Sequence, residues 1–160
     1  MKLTIGPLLT DAQARAVSGW RYQGRYSIYD GDPQGVERLI DPTSRYHGVT
    51  GEDHSQLIGF CCFGPDARVA GFAYDEDALD IGAGLRPDLT GRGLGAQLVE
   101  KALAFAAVEF SPTRYRVTVA CFNERALTMA GRCGFHVHAR FRSPAHREFA
   151  VMIKTEPTRT

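Results

Sequence analysis

The feature that most constrains this chain is a run of three closely spaced glycines, Gly91, Gly93 and Gly95, between two periodic segments. Residues 78–86 alternate like a β-strand before the run, and an amphipathic helical pattern begins near Leu94. Glycine lets backbone N–H groups converge into one concavity, and a helix N-terminus favours negative charge. The run therefore indicates either a cradle for a pyrophosphate or a tight structural turn between strand and helix.

Two other nucleotide-binding motifs do not fit this loop. No Gly-Lys-Ser/Thr follows the glycines, which excludes the P-loop of nucleoside triphosphatases. The chain also lacks a first strand-turn-helix unit with an acidic residue about twenty positions further on, which a dinucleotide fold requires. If the loop binds phosphate, it belongs to a different class of site.

The loop resembles the acyl-coenzyme A loop of the GNAT N-acetyltransferases, whose usual pattern is Gln/Arg-x-x-Gly-x-Gly/Ala. Residues 90–95 match both glycines of that pattern but carry Thr90 at its first position. A second stretch resembles the family's Asn-x-x-Ala followed by Gly-Phe, through Asn123, Ala126 and residues 134–135. Both stretches occur in the family's order, so the resemblance extends over residues 78–135.

This resemblance implies an α+β fold with a mixed central sheet flanked by helices. The fourth and fifth strands splay apart, and the pantetheine arm of acetyl-CoA lies between them as co-substrate, without a metal. Pro87 has no N–H and suits a strand that leaves its neighbour there. The residues implied in cofactor binding are Leu85, Arg86, Pro87, Thr90, Gly91, Arg92, Gly93, Leu94, Gly95, Ala96, Asn123 and Arg132.

The hydrophobic pattern along the chain agrees with one GNAT domain over residues 1–160. Seven segments read as strands: 2–8, 46–50, 56–63, 79–86, 115–121, 135–142 and 148–154. Four segments read as helices: 11–20, 33–40, 95–109 and 123–133.

Acyl transfer from a thioester needs a group that takes a proton from the amine and one that protonates the thiolate. Strand alternation puts Asp80 on one face with two glycines, and it matches the position of the family's glutamate base. Asp80 can equally end a strand and pair with an arginine. The family's usual acid is a tyrosine seven residues after the asparagine, where this chain has Ala130. Tyr115, Cys133 or a loop tyrosine are the candidates to replace it.

An aromatic connector follows the first helix and is predicted to border the acceptor site, as the corresponding region does in the family. Its substrate-binding candidates are Trp20, Tyr22, Tyr26 and Tyr29. They can equally cover an edge of the core. The expected acceptor is a primary amine, either a protein or peptide N-terminal α-amine or a small-molecule amine. Because Ala130 replaces the usual acid, an acyl-CoA sensor with little catalytic activity is the alternative.

Composition excludes several other classes of function. The formal net charge is +1, from 19 basic and 18 acidic residues, which disfavours nucleic acid and membrane surfaces as partners. The four cysteines have no metal-binding spacing, and His136 and His138 have no companion ligands, so no metal is expected. With no signal peptide or membrane-spanning run recognised, we expect a cytoplasmic protein. Whether it forms a homodimer is left open.

Overall fold

A seven-stranded mixed sheet forms the centre of the computed structural model, which describes residues 1–156. The strands are β1 (Thr4–Leu8), β2 (Tyr46–Thr50), β3 (Leu57–Phe63), β4 (Leu79–Leu85), β5 (Arg114–Ala120), β6 (His136–Arg142) and β7 (Glu148–Thr155). Their order across the sheet is β1-β2-β3-β4-β5-β7-β6. Only β4 and β5 run parallel, and the other neighbours are antiparallel. The α+β class and the seven predicted strands are confirmed.

Four α-helices accompany the sheet: α1 (Asp11–Ser18), α2 (Val36–Ile40), α3 (Leu94–Glu109) and α4 (Glu124–Arg132). The predicted helix over 33–40 begins as a 3₁₀ turn at Pro33–Gly35, with Pro33 at the position where no N–H donor is needed and Asp32 accepting the Gln34 amide. The aromatic connector contains a further 3₁₀ turn at Gly24–Tyr29. None of the helices within residues 1–156 combines the length and apolarity that crossing a membrane requires.

Local signals explain where α1 and α3 form. Thr10 and Gln13 make a reciprocal capping box at the start of α1, with side-chain to backbone distances of 3.1 and 3.0 Å. Along α3, Leu98, Ala102 and Ala106 recur every four residues and are buried. The small alanines let α3 approach the sheet closely.

The two faces of the sheet carry different helices. His47 contacts Phe105 of α3, with 4.8 Å between the ring centroids. Its neighbour Gly48 points to the other face, where a Cβ atom would meet the Gln13 side chain of α1 at 3.3 Å. The main core therefore lies between the sheet and α3. Helices α1 and α2 and the loop between β3 and β4 lie on the opposite face.

Candidate active site

The strands β4 and β5 separate soon after they meet. Their pairing is confined to Leu79 with Tyr115 and Asp80 with Arg116, although β4 continues to Leu85 and β5 to Ala120. On its other side β4 stays paired with β3 as far as Leu85. The result is a wedge-shaped gap at the carboxyl ends of two parallel strands. The predicted splay is confirmed.

The glycine run lies beyond the wide end of this gap and leads into α3. Gly91 and Gly93 have φ angles of +75° and +80°, a left-handed conformation that strongly favours glycine. Gly93 is the N-cap of α3 and provides no side-chain cap. In the described part of the chain, the backbone amides of residues 91–96 donate no hydrogen bond to a protein acceptor. Such a group of free amides at the start of a 16-residue helix suits a diphosphate.

Helix α4 forms the side wall of this cradle. A Cβ atom on Gly95 would lie 3.0 Å from the Met129 sulfur, and one on Gly91 would lie 2.9 Å from the Arg125 guanidinium. Side chains of α4 therefore lie directly against the glycine run at both positions. Asn123 is the N-cap of α4, and its side chain accepts the Ala126 amide at 3.1 Å.

A cleft of about 250 Å³ opens on the face of α1 and α2, beside the gap. Its lining residues are Val17, Trp20, Tyr22, Tyr29, Asp30, Gly31, Asp32, Gly35, Arg38, Leu39, Tyr46, Phe60 and Asp66. Aromatic rings and three carboxylates therefore face the same space, with Arg38 as the one guanidinium among the lining residues. The cleft is anionic and partly apolar.

Two tyrosines from the aromatic connector reach the two edges of the gap. The Tyr22 hydroxyl donates to the Leu85 carbonyl at the end of β4, at 2.6 Å. The Tyr29 hydroxyl accepts a hydrogen bond from Asn123, just after β5, at 3.2 Å. Burial raises the pKa of Tyr22 to about 12, with a further contribution from Asp30. Burial is also the main cause of the raised pKa of Tyr29. Both hydroxyls are therefore protonated near neutral pH.

A second cavity, of about 360 Å³, lies where β4 and β5 are still paired. Arg45, Arg68, Asp80 and Phe110 are among the residues that line it. It adjoins neither the gap nor the glycine run, so the cleft beside the gap is the candidate active site.

The sequence profile of the acetyltransferase (GNAT) family matches residues 13–135, which span more than half of the chain and include the glycine run and α4. The chain belongs to the GNAT acetyltransferase family. It is an acyl-CoA-dependent N-acetyltransferase. No curated protein sequence matches it significantly.

Solved structures with the GNAT fold cover nearly the whole chain. A chimera of the spermidine N-acetyltransferase SpeG from Vibrio cholerae and hSSAT has a TM-score of 0.73 at 16% identity, covering 97% of this chain and 96% of that one. The complex of AAC(6')-Ib with ribostamycin and coenzyme A has a TM-score of 0.73 at 17% identity, with coverage of 98% and 94%. A GNAT-family acetyltransferase from Bordetella pertussis has a TM-score of 0.74 at 15% identity, with 96% of both chains covered. At these identities the likeness concerns the fold.

The structure puts the GNAT base candidate, Asp80, at the closed end of the β4–β5 pair. Arg116 binds its carboxylate through two nitrogens, at 2.7 and 2.8 Å, and Arg68 adds a third contact at 2.9 Å. Asp80 and Arg116 are each only 2% exposed. Because both oxygens are engaged by guanidinium groups, we assign Asp80 to a buried ion-pair cluster. Of the two roles considered from the sequence, pairing with arginine is the one that this geometry favours.

Tyr115, a candidate for the acid, also lies away from the gap. It is fully buried in the core on the face of α3, opposite to Asp80, at the paired end of β5. Its hydroxyl has no hydrogen-bond partner within the described residues. Burial is the main cause of its raised pKa. A hydroxyl in this position cannot reach a sulfur in the gap, so the acid role predicted for Tyr115 does not fit the structure.

Most of the predicted cofactor residues surround the gap, but not all of them are free to bind. The chain from Leu85 to Ala96 joins β4 to α3, and Asn123 faces it from α4. The Arg86 guanidinium is already paired with Asp88, at 2.7 Å, and with the Leu57 carbonyl, at 3.2 Å. Thr90 donates to the Pro87 carbonyl at 3.0 Å. Arg92 is exposed in the loop, whereas Arg132 lies in the last turn of α4, roughly 13 Å along the helix from Asn123.

Three of the four predicted acceptor residues, Trp20, Tyr22 and Tyr29, line the cleft. Tyr26 instead packs edge-on against Phe122, at 5.4 Å, and under the Arg125 guanidinium, at 4.8 Å. Sequence analysis did not single out Asp30, Asp32 and Asp66. The Asp-Gly-Asp-Pro run at residues 30–33 is a turn signal that marks the first two as loop residues. No local pattern brings Asp66 to the same cleft.

Across residues 1–156, His, Cys, Asp and Glu side chains form no group of three that could hold a metal ion. Burial raises the pKa of the Cys62 thiol to about 12, so this side chain is a neutral thiol at physiological pH. Cys62 is not a nucleophile under those conditions.

Proposed function

We propose that this protein transfers the acetyl group of acetyl-CoA to a primary amine on a small cationic molecule, in a complex that holds both substrates. The observation that supports this most directly is that the anionic cleft opens beside the β4–β5 gap. A thioester arm in the gap and an amine in the cleft would approach each other without a covalent enzyme intermediate.

The side chains of the cleft favour a cationic acceptor. Asp30, Asp32 and Asp66 contribute three carboxylates against the one guanidinium of Arg38. Trp20 and Phe60 lie with their ring centroids 6.2 Å apart and offer faces that attract ammonium groups. The volume of about 250 Å³ suits a small molecule or the end of a longer one. Among proteins of the same fold, one is named for spermidine and another is bound to ribostamycin, both of which carry several amines.

The free amides of the glycine run would hold the diphosphate of acetyl-CoA, with Asn123 beside the arm. When bound, acetyl-CoA supplies an activated acyl carbon and a thiol leaving group. The backbone of Leu85 faces the gap, because the next amide, that of Arg86, points the other way and binds Ile58 of β3 at 2.8 Å. Holding the reacting atoms together accounts for much of the rate acceleration in such a reaction.

A thiol-release assay with a panel of amines tests this function. We expect turnover with polyamines and aminoglycosides. Their kcat/KM values should exceed those for a primary amine of similar size without a second cationic group by about tenfold or more, because desolvated charge pairs discriminate strongly. Turnover confined to peptide N-termini would contradict the small cationic acceptor. Tight binding of acetyl-CoA with no turnover on any amine would instead support the alternative of an acyl-CoA sensor.

Tyr29 is the tyrosine best situated to protonate the departing sulfur, since Ala130 stands at the usual position of the acid. Its hydroxyl lies at the β5 edge of the gap, where it accepts from Asn123 and keeps its own proton available. Tyr29 also lines the cleft, so it faces the space between the two substrates. It comes from the aromatic connector rather than from α4.

Tyr29→Phe is expected to lower kcat by about 100-fold, the lower range for the loss of one positioned proton donor. The KM values for both substrates should stay within about threefold, because the ring remains in place. Steady-state kinetics measure both parameters. Tyr26→Phe is the matched control, since Tyr26 belongs to the same aromatic cluster but does not line the cleft. Equal losses in the two variants would contradict the acid role of Tyr29.

A further inference from the structure

Asp66 is a carboxylate in the cleft for which the sequence offered no role. It belongs to the 3₁₀ turn Pro65–Ala67 between β3 and β4, and its side chain is 17% exposed. The Tyr46 hydroxyl donates a hydrogen bond to its Oδ2 atom. Tyr46 itself is held in β2, opposite Cys62 of β3. The hydrogen bond from Tyr46 of the sheet therefore fixes the Asp66 carboxylate, which lines the cleft.

The turn that carries Asp66 stands over the beginning of the gap. A Cβ atom on Gly82 of β4 would lie 3.3 Å from the Ala67 Cβ and 2.8 Å from the Cys62 sulfur. Gly82 comes two positions after Asp80, the last residue of β4 that pairs with β5. Because Gly82 has no side chain, the Pro65–Ala67 turn can approach the strand at the place where the two strands part. Asp66 thus lines the acceptor cleft, and the turn that carries it packs over β4 where the two strands part.

Asp66 differs from the other carboxylates near the site in the partners that fix its side chain. Asp30 and Asp32 accept backbone amides of Tyr22 and Gln34, at 2.7 and 2.9 Å, and so stabilise turns. Asp80 is bound by two buried or half-buried arginines. The fixed partner of Asp66 is a neutral hydroxyl, which orients the carboxylate without neutralising its charge.

The cationic partner of Asp66 is easily displaced. Arg38 of α2 approaches Oδ1 with one nitrogen at 3.3 Å, and its side chain is 73% exposed. Exposed ion pairs with a single contact contribute little to stability. The Arg38 guanidinium therefore covers the oxygen that an acceptor amine would need, and it can move into solvent when the amine arrives.

We propose that Asp66 is the catalytic carboxylate that accepts the proton of the acceptor amine, with Tyr46 as the residue that positions it and Arg38 as a displaceable cover. The proposal rests on the acetyltransferase function proposed above. The reacting ammonium group first loses a proton to solvent, and the neutral amine attacks, so a C–N bond forms and the C–S bond of the thioester breaks. The nitrogen proton becomes acidic as the bond forms and passes to Asp66. The sulfur leaves with the electron pair of the C–S bond and takes a proton from Tyr29 or from water.

Kinetics and calorimetry on Asp66→Asn test this assignment. We expect kcat with spermidine to fall about 100-fold, the lower range for loss of a general base. The calorimetric Kd for coenzyme A should stay within about threefold of the wild-type value, which shows that the donor site is intact. Asp66→Glu keeps a carboxylate and should recover part of the lost kcat. Asp53→Asn removes an exposed carboxylate that lies outside the cleft and accepts the Ser55 amide of its own turn, and it should keep kcat within about threefold.

Arg38→Gln distinguishes a catalytic role of Asp66 from a structural one, because only the structural role predicts a loss of activity in this variant. If Arg38 only covers Asp66, its removal leaves kcat/KM for spermidine unchanged or raises it severalfold, and calorimetry shows equal or tighter binding of spermidine. If the Arg38–Asp66 pair merely supports the fold, both variants lose activity together.

Two results would overturn the proposal while leaving the acetyltransferase function intact. One is an Asp66→Asn variant that keeps kcat within threefold of the wild type, whether or not KM rises. The other is an Arg38→Gln variant that loses as much kcat as Asp66→Asn. A wild-type protein that binds coenzyme A but releases no thiol with any amine would instead overturn the proposed function, and the role of Asp66 with it.

Discussion

Gly93→Val is expected to abolish measurable binding of acetyl-CoA while the sheet remains folded. Gly93 has a φ angle of +80° at the N-cap of α3, and a β-branched residue there is strained by about 1–2 kcal/mol or more. No atom within 4 Å would collide with an added Cβ, so the effect comes from the backbone alone. The chain relieves the strain by leaving the left-handed region, which turns the amides of residues 93–96 away from a common point.

Isothermal titration calorimetry should show a loss of at least about 100-fold in affinity, because several charge-assisted hydrogen bonds to one diphosphate disappear together. Gly24→Val is the matched control. Gly24 also has a positive φ angle, +59°, and open space around it, but it lies in the aromatic connector. If Gly93→Val binds acetyl-CoA as tightly as the control does, the glycine run is a structural turn and the donor site lies elsewhere.

Asp80→Ala is expected to lower the free energy of unfolding by about 3–5 kcal/mol, because it leaves a buried guanidinium without its main partner. Arg116 would keep only Asp75, whose side chain is 64% exposed, at 2.9 Å and the Asp75 carbonyl at 2.9 Å. For a chain of this size, that loss corresponds to a fall in Tm of roughly 6–20 °C. Thermal unfolding followed by circular dichroism measures it.

Asp75→Ala is the control for this prediction, since it removes the exposed partner of the same arginine and should cost about 1 kcal/mol or less. Activity per folded molecule then distinguishes the two roles considered for Asp80. If Asp80→Ala keeps the wild-type Tm but loses turnover, Asp80 acts as the base and the ion-pair assignment is wrong.

The Asp80 cluster also explains how the loop between β3 and β4 is held across the sheet. The Arg68 and Arg116 guanidiniums both lie close to the Tyr74 ring, 5.4 and 5.0 Å from its centroid. Its hydroxyl meets the Thr118 hydroxyl at 2.8 Å. The loop thereby crosses from β3 to the face of β5. Because Asp66 lies at the start of this loop, the cluster contributes indirectly to the shape of the cleft.

The resemblance to the GNAT family implied the parting of the fourth and fifth strands. The sequence alone was sufficient for the order of strands and helices and for the glycine run. These features depend on interactions between near neighbours in the chain, such as the alternation in residues 79–86 and the φ freedom of Gly91 and Gly93. The predicted helix over 95–109 differs by one residue from α3, which runs Leu94–Glu109. Local signals were strong enough to set these elements.

Only the tertiary structure decided which carboxylates line the cleft. Strand alternation correctly put Asp80 on one face with Gly82, but Arg116 and Arg68 reach it from 36 and 12 residues away in the chain. Asp66 reaches the cleft because β2 brings Tyr46 beneath it, 20 residues away. A side chain's partners depend on long-range packing, whereas periodicity reports only the direction in which it leaves the backbone. The sequence therefore determined the frame of the site, and the packing of distant segments determined which side chains line it.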